Sequence, residues 1–439
     1  TANLKGTFYD FFLLELPRGM KDFDSKEFSK IQFIKENFLD VSEIFGFKLM
    51  EPSAIEFLKT LEIKSGEQAK DHVFWWGNRD RKLGDIGLRF DFTIGICRYV
   101  AGQRSIKLPA KISSAGGVWR YDEPQKARFR YFNQWDIEIF GKSNLEYDAE
   151  VIEFTSKFFK KINLKNVEIY ISHRKLAESY IHKIFETEDA KITADILRAV
   201  DKIAKKSKQE ILSEYKEKGY SSEKLEKIIQ FSETIGTPES IEAECDTNTL
   251  DGWNEIKVVF ESLRNRNVKN IRINFGIVRG LDYYSGIVFE VFDTTYREIG
   301  ALAGGGRYDT LPALFERDDL GATGVAGGID RIRLALENQN SEFGTSHQRI
   351  SVLYVNSEMR NNGIKLTSEL RDEGYCVDID LNDKPLKKQM EQSTNSKFTI
   401  IVAPKEFDNG MYILRNMTER SEKQLGKDDL FAELKKINL

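Results

Sequence analysis

Residues 118–141 read VWRYDEPQKARFRYFNQWDIEIFG, and this stretch decides the fold. It begins and ends with strand-like runs at 118–121 and 135–140, and Pro124 lies between them. Because proline is largely confined to sheet edges and loops, the pattern predicts two antiparallel strands joined by a loop over residues 122–130. We therefore expect a fold built around an antiparallel sheet.

Polar and apolar side chains alternate along the second predicted strand. One face would carry Gln134, Asp136 and Glu138, and the other face would carry the apolar residues between them. Such alternation is ordinary for a sheet with one face in water. In the functional alternative, arginines at the loop ends bind phosphate, and the strand carboxylates bind a cationic or hydrogen-bonding ligand. This stretch by itself leaves both interpretations open.

Composition bounds the class of protein. A chain of 439 residues with 40% hydrophobic residues predicts two or three globular domains. Its net charge of -4 gives no argument for nucleic acid as a partner, although an acidic chain can carry a local basic face. The three cysteines and four histidines have no metal-binding spacing, so we expect reduced thiols in a cytoplasmic protein without a structural metal. No apolar run is long enough to predict a membrane span.

Two short segments before the opening stretch carry helix signals. Asp24 is predicted to cap a long helix that ends at Gly46. Thr93 is predicted to cap a second helix, and Asp91 lies just before it. An aspartate in this place is usually part of a helix cap, so a binding role for Asp91 is the alternative.

The composition of the chain changes twice after residue 174. Residues 175–266 are rich in lysine and glutamate, with helical periodicity and no strand signal, which predicts a helical insertion. Its charged face is expected to be solvated, and a tRNA-facing surface is the alternative. A polar linker follows at 337–348, and alternating strands and helices over 349–439 predict a small, separate α/β domain with a mostly parallel sheet.

Four arginines stand near polar or glycine-rich turns: Arg120, Arg128, Arg279 and Arg331. Arginine binds phosphate through two parallel hydrogen bonds and stays charged. Several arginines on one antiparallel sheet would suit a nucleoside triphosphate, although the chain has no P-loop. Because no Ser-His-Asp or Cys-His arrangement is found, these residues favour nucleotidyl transfer over covalent catalysis.

Taken together, the chain resembles the histidyl-tRNA synthetases, a family of class II aminoacyl-tRNA synthetases. The matching segments occur in the family's order: 47–52 (motif 1), 88–93 (amino-group segment), 119–141 (motif 2), 279–286 and 304–309 (histidine-specific signatures) and 324–331 (motif 3). The resemblance implies an α+β fold with an antiparallel-sheet catalytic domain over 1–336, which contains the helical insertion. It also implies that 349–439 form an anticodon-binding α/β domain.

The resemblance implies ATP-dependent activation of L-histidine and transfer of the histidyl group to tRNA(His). Mg²⁺ is expected with ATP, and the family is homodimeric. Two other functions are alternatives for a chain with a synthetase-like domain. One is that of a regulatory subunit of ATP phosphoribosyltransferase, and the other is that of a tRNA-sensing pseudo-synthetase. The presence of Arg120, Arg279 and a further C-terminal domain favours the enzyme.

Site residues follow from the resemblance position by position. The ATP-binding set is Arg120 (α-phosphate), Asp122, Arg128 and Arg331 (γ-phosphate). The histidine-binding set is Asp91, Thr93, Gln134, Glu138, Arg279, Tyr283 and Tyr284, in which Glu138 and Tyr284 hydrogen-bond the two imidazole nitrogens. Arg120 and Arg279 are the expected catalytic residues, and Gln125 is the candidate for contact with the tRNA acceptor end. Asp91 and Asp122 stand where many family members carry glutamate, and the metal ligands are not assigned.

Overall fold

The computed structural model describes residues 14–65, 70–79, 83–124, 129–203, 206–278, 283–341, 343 and 349–436. The chain divides into two compact units, Thr1–Glu342 and Phe343–Leu439. Among the helices that can be described, none has both the length and the apolar character needed to cross a membrane.

The first unit contains a nine-stranded sheet and a three-stranded sheet. Its strands are β1 (Lys48–Leu49), β2 (Ile55–Phe57), β3 (Trp75–Trp76), β4 (Ile86–Leu88), β5 (Ala110–Trp119), β6 (Tyr131–Gly141), β7 (Val167–His173), β8 (Ile235–Gly236), β9 (Ile271–Asn274), β10 (Ile287–Asp293), β11 (Ala303–Arg307) and β12 (Gly321–Gly328). The large sheet has the order β1-β5-β6-β12-β11-β10-β7-β9-β8, and β2-β4-β3 form the small one. Only β1–β5 and β7–β9 pair in parallel among these strands, so the large sheet is mainly antiparallel, as expected.

Several helices pack against strands of the large sheet, and others lie in the segment between β7 and β9. They are α1 (Ser25–Ile44), α2 (Leu58–Ser65), α3 (Thr93–Gly102), α4 (Leu145–Lys161), α5 (Arg174–Phe185), α6 (Ala190–Lys202), α7 (Lys208–Glu217), α8 (Ser222–Ser232), α9 (Pro238–Glu244), α10 (Trp253–Asn265), α11 (Thr310–Ala313) and α12 (Ile329–Asn338). The predicted cap of α1 is confirmed, because the Asp24 carboxylate accepts a hydrogen bond from the Glu27 amide at 2.8 Å.

The apolar face of β6 packs against α1 and α4. The Trp135 ring lies 5.6 Å from Phe38 of α1 and 5.1 Å from Phe158 of α4, centroid to centroid. All three side chains are fully buried, and burying a large apolar side chain contributes about 1.5–3 kcal/mol. This aromatic layer fixes β6, and so the orientation of its polar face.

The β5–β6 hairpin is antiparallel, as predicted, but its bounds and its polar face differ from the prediction. The first strand was predicted at 118–121, whereas β5 spans Ala110–Trp119. Strand β6 begins at Tyr131 and not at Trp135, because the extended pairing with β5 continues to Trp119. The polar face was expected to be wet in the ordinary interpretation, yet Gln134 and Glu138 are 3% and 1% exposed. The expectation of a wet face is wrong because other elements of the first unit cover this face.

The segment 175–266 is mostly helical, but it was wrongly predicted to lack strands. The two-residue strand β8 pairs with β9 at the edge of the large sheet, and such a short strand leaves no periodic signal. Buried residues of α5, α6, α7 and α8, with others from β7 and β10, form a separate cluster, which includes Ile196, Tyr215 and Ile228. Helix α10, in contrast, packs against α4 and β7.

The second unit has one five-stranded sheet. Its elements are β13 (Arg349–Tyr354), α13 (Arg360–Asp372), β14 (Cys376–Ile379), α14 (Leu386–Gln392), β15 (Phe398–Val402), α15 (Pro404–Asp408), β16 (Met411–Asn416), β17 (Ser421–Gly426) and α16 (Lys427–Lys436). The order is β14-β13-β15-β16-β17, with two parallel and two antiparallel pairs. The prediction of a mostly parallel sheet is wrong because β17, a polar strand without apolar alternation, was not predicted.

Candidate active site

A cavity of about 520 Å³ lies over the polar face of β6. Every predicted site residue that the structure describes lines it: Asp91, Thr93, Arg120, Asp122, Gln134, Glu138, Tyr283, Tyr284 and Arg331. Three others, Gln125, Arg128 and Arg279, lie outside the described residues. The structure therefore brings together residues that are up to 240 positions apart in sequence, from Asp91 to Arg331.

Small residues on β12 make room for this cavity. Gly324 lies opposite Glu138, Ala326 opposite Asp136 and Gly328 opposite Gln134. Opposite residues of paired strands project to the same face, so the polar side chains of β6 have almost no neighbours on β12. A Cβ atom on Gly324 would lie 1.5 Å from Oε2 of Glu138. The Glu138 side chain can therefore occupy this position only because residue 324 is a glycine.

Glu138 is held by a residue to which the sequence assigned no role. The Tyr308 hydroxyl donates a short hydrogen bond to Oε2 of Glu138, and both residues are buried. Burial raises the pKa of Tyr308 well above its usual range, with the Glu138 charge as a further cause, so Tyr308 stays a phenol and a donor. Tyr308 lies within the signature 304–309, which was assigned only as a whole, and nothing in that segment indicates which of its side chains faces the cavity.

We expect Tyr308→Phe to raise the KM for histidine about 10-fold in histidine-dependent ATP–pyrophosphate exchange, since hydrogen bonds to charged groups contribute about 1.5–3 kcal/mol. The KM for ATP should stay unchanged. Tyr354→Phe is the matched control, because Tyr354 is a buried, hydrogen-bonded tyrosine of the second unit. An equal rise in both KM values would contradict the assigned contact.

The segment before α3 adds two polar groups to the cavity. The Ile94 amide donates to Oδ1 of Asp91 at 3.4 Å, so Asp91 is also part of the helix start. Thr93 was predicted as the cap, and this is wrong: Phe92 is the N-cap residue and Thr93 is the first helical residue. The Thr93 hydroxyl instead lies 3.4 Å from Oδ2 of Asp136. Asp91 and Thr93 are 7% and 6% exposed, at the floor of the cavity.

Contacts with Phe90, Gln134 and Phe132 help to position Arg120. Its Nε donates to the Phe90 carbonyl at 3.0 Å, and one terminal nitrogen donates to Oε1 of Gln134 at 3.3 Å. The guanidinium also lies over the Phe132 ring, 5.0 Å from the centroid. Arg331 of α12 is anchored separately, through a 2.9 Å hydrogen bond to the Ala301 carbonyl. Two fixed cationic groups therefore share one cavity with a row of carboxylates.

The ends of the loop after β5 are held by neighbouring segments. His72 Nδ1 lies 3.0 Å from Oδ1 of Asp122, and Arg130 Nε donates to the Asp122 carbonyl at 3.1 Å. Glu123 forms an exposed salt bridge of 2.6 Å with Arg18. These contacts keep the Asp122 carboxylate at the mouth of the cavity.

The described parts of the two predicted signatures, 283–286 and 304–309, are joined to each other by hydrogen bonds. The Tyr283 and Tyr284 rings are 4.2 Å apart, and the Ser285 amide donates to the Arg307 carbonyl at 2.8 Å. Arg174 donates to the Tyr284 carbonyl at 2.7 Å. Sequence reasoning missed Arg174, since it lies far away in the chain and carries no motif.

Arg307 also forms a buried ion pair with Asp148 of α4. Both side chains are almost fully buried, and Arg307 donates a further hydrogen bond of 2.7 Å to the Asn144 carbonyl. Burial raises the pKa of Asp148 to about 6 in spite of the neighbouring guanidinium. The pair connects β11, which leads into Tyr308, to the helix behind it.

Because removing one partner leaves a buried group uncompensated, we expect Arg307→Met to lower the free energy of unfolding by about 3–5 kcal/mol. Arg272→Met is the control: Arg272 is half exposed, its 2.6 Å salt bridge is with Glu168, and surface pairs contribute about 0–1 kcal/mol. Urea unfolding followed by tryptophan fluorescence measures the first unit alone, because all five tryptophans lie in it. Equal effects of the two substitutions would contradict this role.

Other cavity residues were not predicted. They include two carboxylates, Glu290 of β10 and Asp330 of α12, and the rings of Phe129 and Phe132. Asp330 accepts a hydrogen bond from the Asn133 amide at 3.1 Å, and burial raises its pKa. Glu290 lies on β10 and Asp330 follows β12, and the order of strands in the sheet brings these strands to the cavity.

Comparison with known proteins identifies the family. The family model described as Histidyl-tRNA synthetase matches residues 19–332, and the one described as Anticodon binding domain matches 349–437. The chain belongs to the histidyl-tRNA synthetase family. A histidine–tRNA ligase of the family from Pyrobaculum islandicum is 28% identical over 416 residues, which cover 94% of this chain and 96% of that protein.

Solved structures share the family fold. The crystal structure of histidyl-tRNA synthetase from Nostoc sp. PCC 7120 has a TM-score of 0.80 at 22% identity and covers 97% of this chain and 99% of its own. A Bacillus halodurans C structure is described as an ATP phosphoribosyltransferase regulatory subunit/histidyl-tRNA synthetase. It has a TM-score of 0.73 at 20% identity, covering 90% of this chain and 99% of its own. These likenesses confirm the predicted fold class, and at such identities they concern the fold alone.

Proposed function

We propose that this chain is a histidine–tRNA ligase, which activates L-histidine with ATP and transfers the histidyl group to the 3′ end of tRNA(His). The observation that carries the proposal is the single cavity that combines Arg120 and Arg331 with the buried carboxylate of Glu138. Fixed cations suit a triphosphate, and a buried hydrogen-bonding carboxylate suits an imidazole. Family membership supports the same activity.

In the first step, the histidine carboxylate attacks the α-phosphorus of ATP. A bond forms between the carboxylate oxygen and phosphorus, and the bond to the bridging oxygen breaks to release pyrophosphate. Phosphoryl chemistry of this kind depends on positioning and charge stabilisation more than on a protein nucleophile. We propose that Arg120 and Arg279 stabilise the charge at the α-phosphate, and that Arg128 and Arg331 bind the rest of the triphosphate, with Arg331 at the γ-phosphate.

In the second step, the terminal ribose hydroxyl of tRNA attacks the histidyl carbonyl, and AMP leaves. Gln125 remains our candidate for contact with the acceptor end, since its loop begins at the mouth of the cavity beside Asp122. Asp122 itself is proposed to contact ATP. The two ends of this loop, at Glu123 and Arg130, are both held by the N-terminal segment around Arg18 and Gly19.

Histidine recognition is assigned to the cavity floor. We propose that Glu138 and Tyr284 each make one hydrogen bond to an imidazole nitrogen, and that Asp91, Thr93 and Gln134 bind the α-amino group. Tyr283, whose ring centroid lies 4.2 Å from that of Tyr284, would complete the side-chain pocket. A site that pairs with both ring nitrogens leaves buried groups unpaired when any other amino acid binds.

Mg²⁺ would accompany ATP. In the part of the chain that the structure describes, no group of three or more His, Cys, Asp or Glu side chains could hold a metal by itself. Mg²⁺ in nucleotide sites usually needs only one or two carboxylates together with phosphates and water. Glu290 fits this demand, because it lines the cavity from β10. Bound together with ATP, the ion would supply positive charge that offsets the charge of the phosphates.

We assign the catalytic domain to 1–336, with the insertion at 175–266, the linker at 337–348 and the anticodon-binding domain at 349–439. The two compact units and the two family matches support this division. We also propose a homodimer, because β1, β2 and β3 expose large apolar side chains: Leu49, Ile55, Phe57, Trp75 and Trp76. The free cysteines Cys97, Cys245 and Cys376 are in keeping with a reducing cytoplasm.

Amino-acid-dependent ATP–pyrophosphate exchange with all twenty amino acids tests the proposal. Exchange with histidine alone, followed by charging of tRNA(His), is the expected result. The rival regulatory role shares this fold, as the Bacillus halodurans C structure illustrates, but it predicts no exchange. Absence of exchange with every amino acid would overturn the proposed function.

A further inference from the structure

Asp136 is a buried carboxylate for which the function above has no use. It lies on the polar face of β6, between Gln134 and Glu138, and it is 0% exposed. It is not among the residues that line the cavity. Taking a carboxylate out of water is costly unless hydrogen bonds compensate, so its contacts indicate what it does.

Two cavity residues make hydrogen bonds to the same oxygen of Asp136. The Thr93 hydroxyl lies 3.4 Å from Oδ2, and the Gln134 side-chain amide nitrogen lies 3.5 Å from it. The Gln134 amide nitrogen can only donate, so Oδ2 is an acceptor, and the Thr93 hydroxyl donates to the same oxygen. Asp136 therefore fixes the direction of both hydrogen bonds.

The donor roles determine what each side chain presents to the cavity. A hydroxyl has a single hydrogen, and with that hydrogen directed at Asp136, Thr93 offers only lone pairs elsewhere. Gln134 lies between Asp136 and Arg120, an acceptor and a donor, and its Oε1 accepts from Arg120 at 3.3 Å. This places the amide nitrogen towards Asp136 and the oxygen, which has a second lone pair, away from it.

We infer that Asp136 is a positioning residue for the α-amino group of histidine: it orients Thr93 and Gln134 so that both present acceptors to an ammonium group. An ammonium has three donors and no acceptor, so it requires such a surface. Asp91, at the same cavity floor, contributes a further acceptor. The inference rests on the proposed function, and it concerns only the amino end of the substrate.

Two analogues of histidine test binding of its amino group and binding of its carboxylate independently. Histamine has the imidazole and the amine, and 3-(imidazol-4-yl)propionate has the imidazole and the carboxylate. The full-length protein and its Asp136→Leu variant are titrated with each ligand by calorimetry. Because a tenfold change in affinity corresponds to about 1.4 kcal/mol, the order of one or two hydrogen bonds, we expect the variant to bind histamine about 10-fold more weakly. Binding of imidazolepropionate should not change.

Asp293→Leu is the matched control. Asp293 lies in the same sheet, is 0% exposed and accepts hydrogen bonds from Thr295 and Gln339, but it does not line the cavity. Any effect of this substitution should be the same for both ligands. If Asp136→Leu does not fold, Asp136→Asn replaces it. An amide offers a donor as well as an acceptor, so we expect about a threefold loss, again for histamine alone.

An equal loss for both ligands, or no loss for either, would overturn the inference. That result differs from failure of the proposed function, in which the unsubstituted protein would bind neither ligand and would show no histidine-dependent exchange.

Discussion

Gly324→Ala is expected to lower kcat/KM for histidine roughly 100-fold. The substitution would remove the proposed hydrogen bond between Glu138 and the imidazole, and a hydrogen bond to a charged group contributes up to about 3 kcal/mol. The added methyl carbon would lie 1.5 Å from Oε2 of Glu138 and 2.6 Å from the Ile137 carbonyl oxygen. The Tyr308 hydroxyl donates a hydrogen bond to the same oxygen, Oε2. Glu138 must leave its position or β12 must separate from β6, and either change removes the proposed contact to the imidazole.

Histidine-dependent exchange measures the catalytic effect, and tryptophan fluorescence during urea unfolding measures stability, which overpacking should lower by about 1–3 kcal/mol. Gly102→Ala is the control. Its Cβ would meet no atom within 4 Å, and Gly102 is the last residue of α3, in the first unit. If Gly324→Ala lost stability but kept its kcat/KM for histidine, the proposed hydrogen bond between Glu138 and the imidazole would be contradicted.

Arg120→Ala is expected to slow adenylate formation about 10²–10³-fold, since loss of one preorganised donor to a developing charge costs about 2.7–4 kcal/mol. Arg120 is preorganised by the Phe90 carbonyl, the Gln134 side chain and the Phe132 ring. It can therefore stabilise charge at the α-phosphate without first being ordered. Rapid-quench measurement of a single turnover, with saturating ATP and histidine, isolates this step.

Arg120→Lys is the matched variant, because it keeps the charge and loses the planar fork. A lysine is a point charge and cannot reproduce two parallel hydrogen bonds, so we expect only a partial recovery of the rate. If Arg120→Ala raised the KM for ATP while the single-turnover rate stayed the same, Arg120 would bind the ground state only. Complete recovery with lysine would show that charge alone matters.

Much of the site could be predicted because its residues lie in short, recognisable segments. The strand 131–141 carries Gln134 and Glu138 at alternate positions, and the β-strand repeat places them on one face whatever the rest of the fold. Motif order then supplied Arg120 and Arg331. Tyr308 was overlooked because nothing in the segment GGGRYD indicates which of its side chains faces the cavity.

Other features depend on distant contacts and could not be predicted. In the ordinary interpretation the polar face of β6 would lie in water, yet it is buried by the start of α3 and by other segments far away in sequence. The capping role given to Thr93 was wrong for the same reason, because its hydroxyl bonds to Asp136 on another strand. Strands β8 and β17 were missed because short or polar strands are stabilised by their neighbours and carry no periodic signal.

The sequence by itself determined the antiparallel core, the separate C-terminal α/β unit and most of the residues that meet at the site, because periodicity and motif spacing are local properties. Only the tertiary structure decided which groups those residues face. The pairing of β6 with β12 places Gly324 beside Glu138, and the packing of α3 places Thr93 beside Asp136. Such neighbours determine the direction of each hydrogen bond and the space around each side chain. These two properties determine whether a carboxylate of β6 can bind a ligand or orient another side chain.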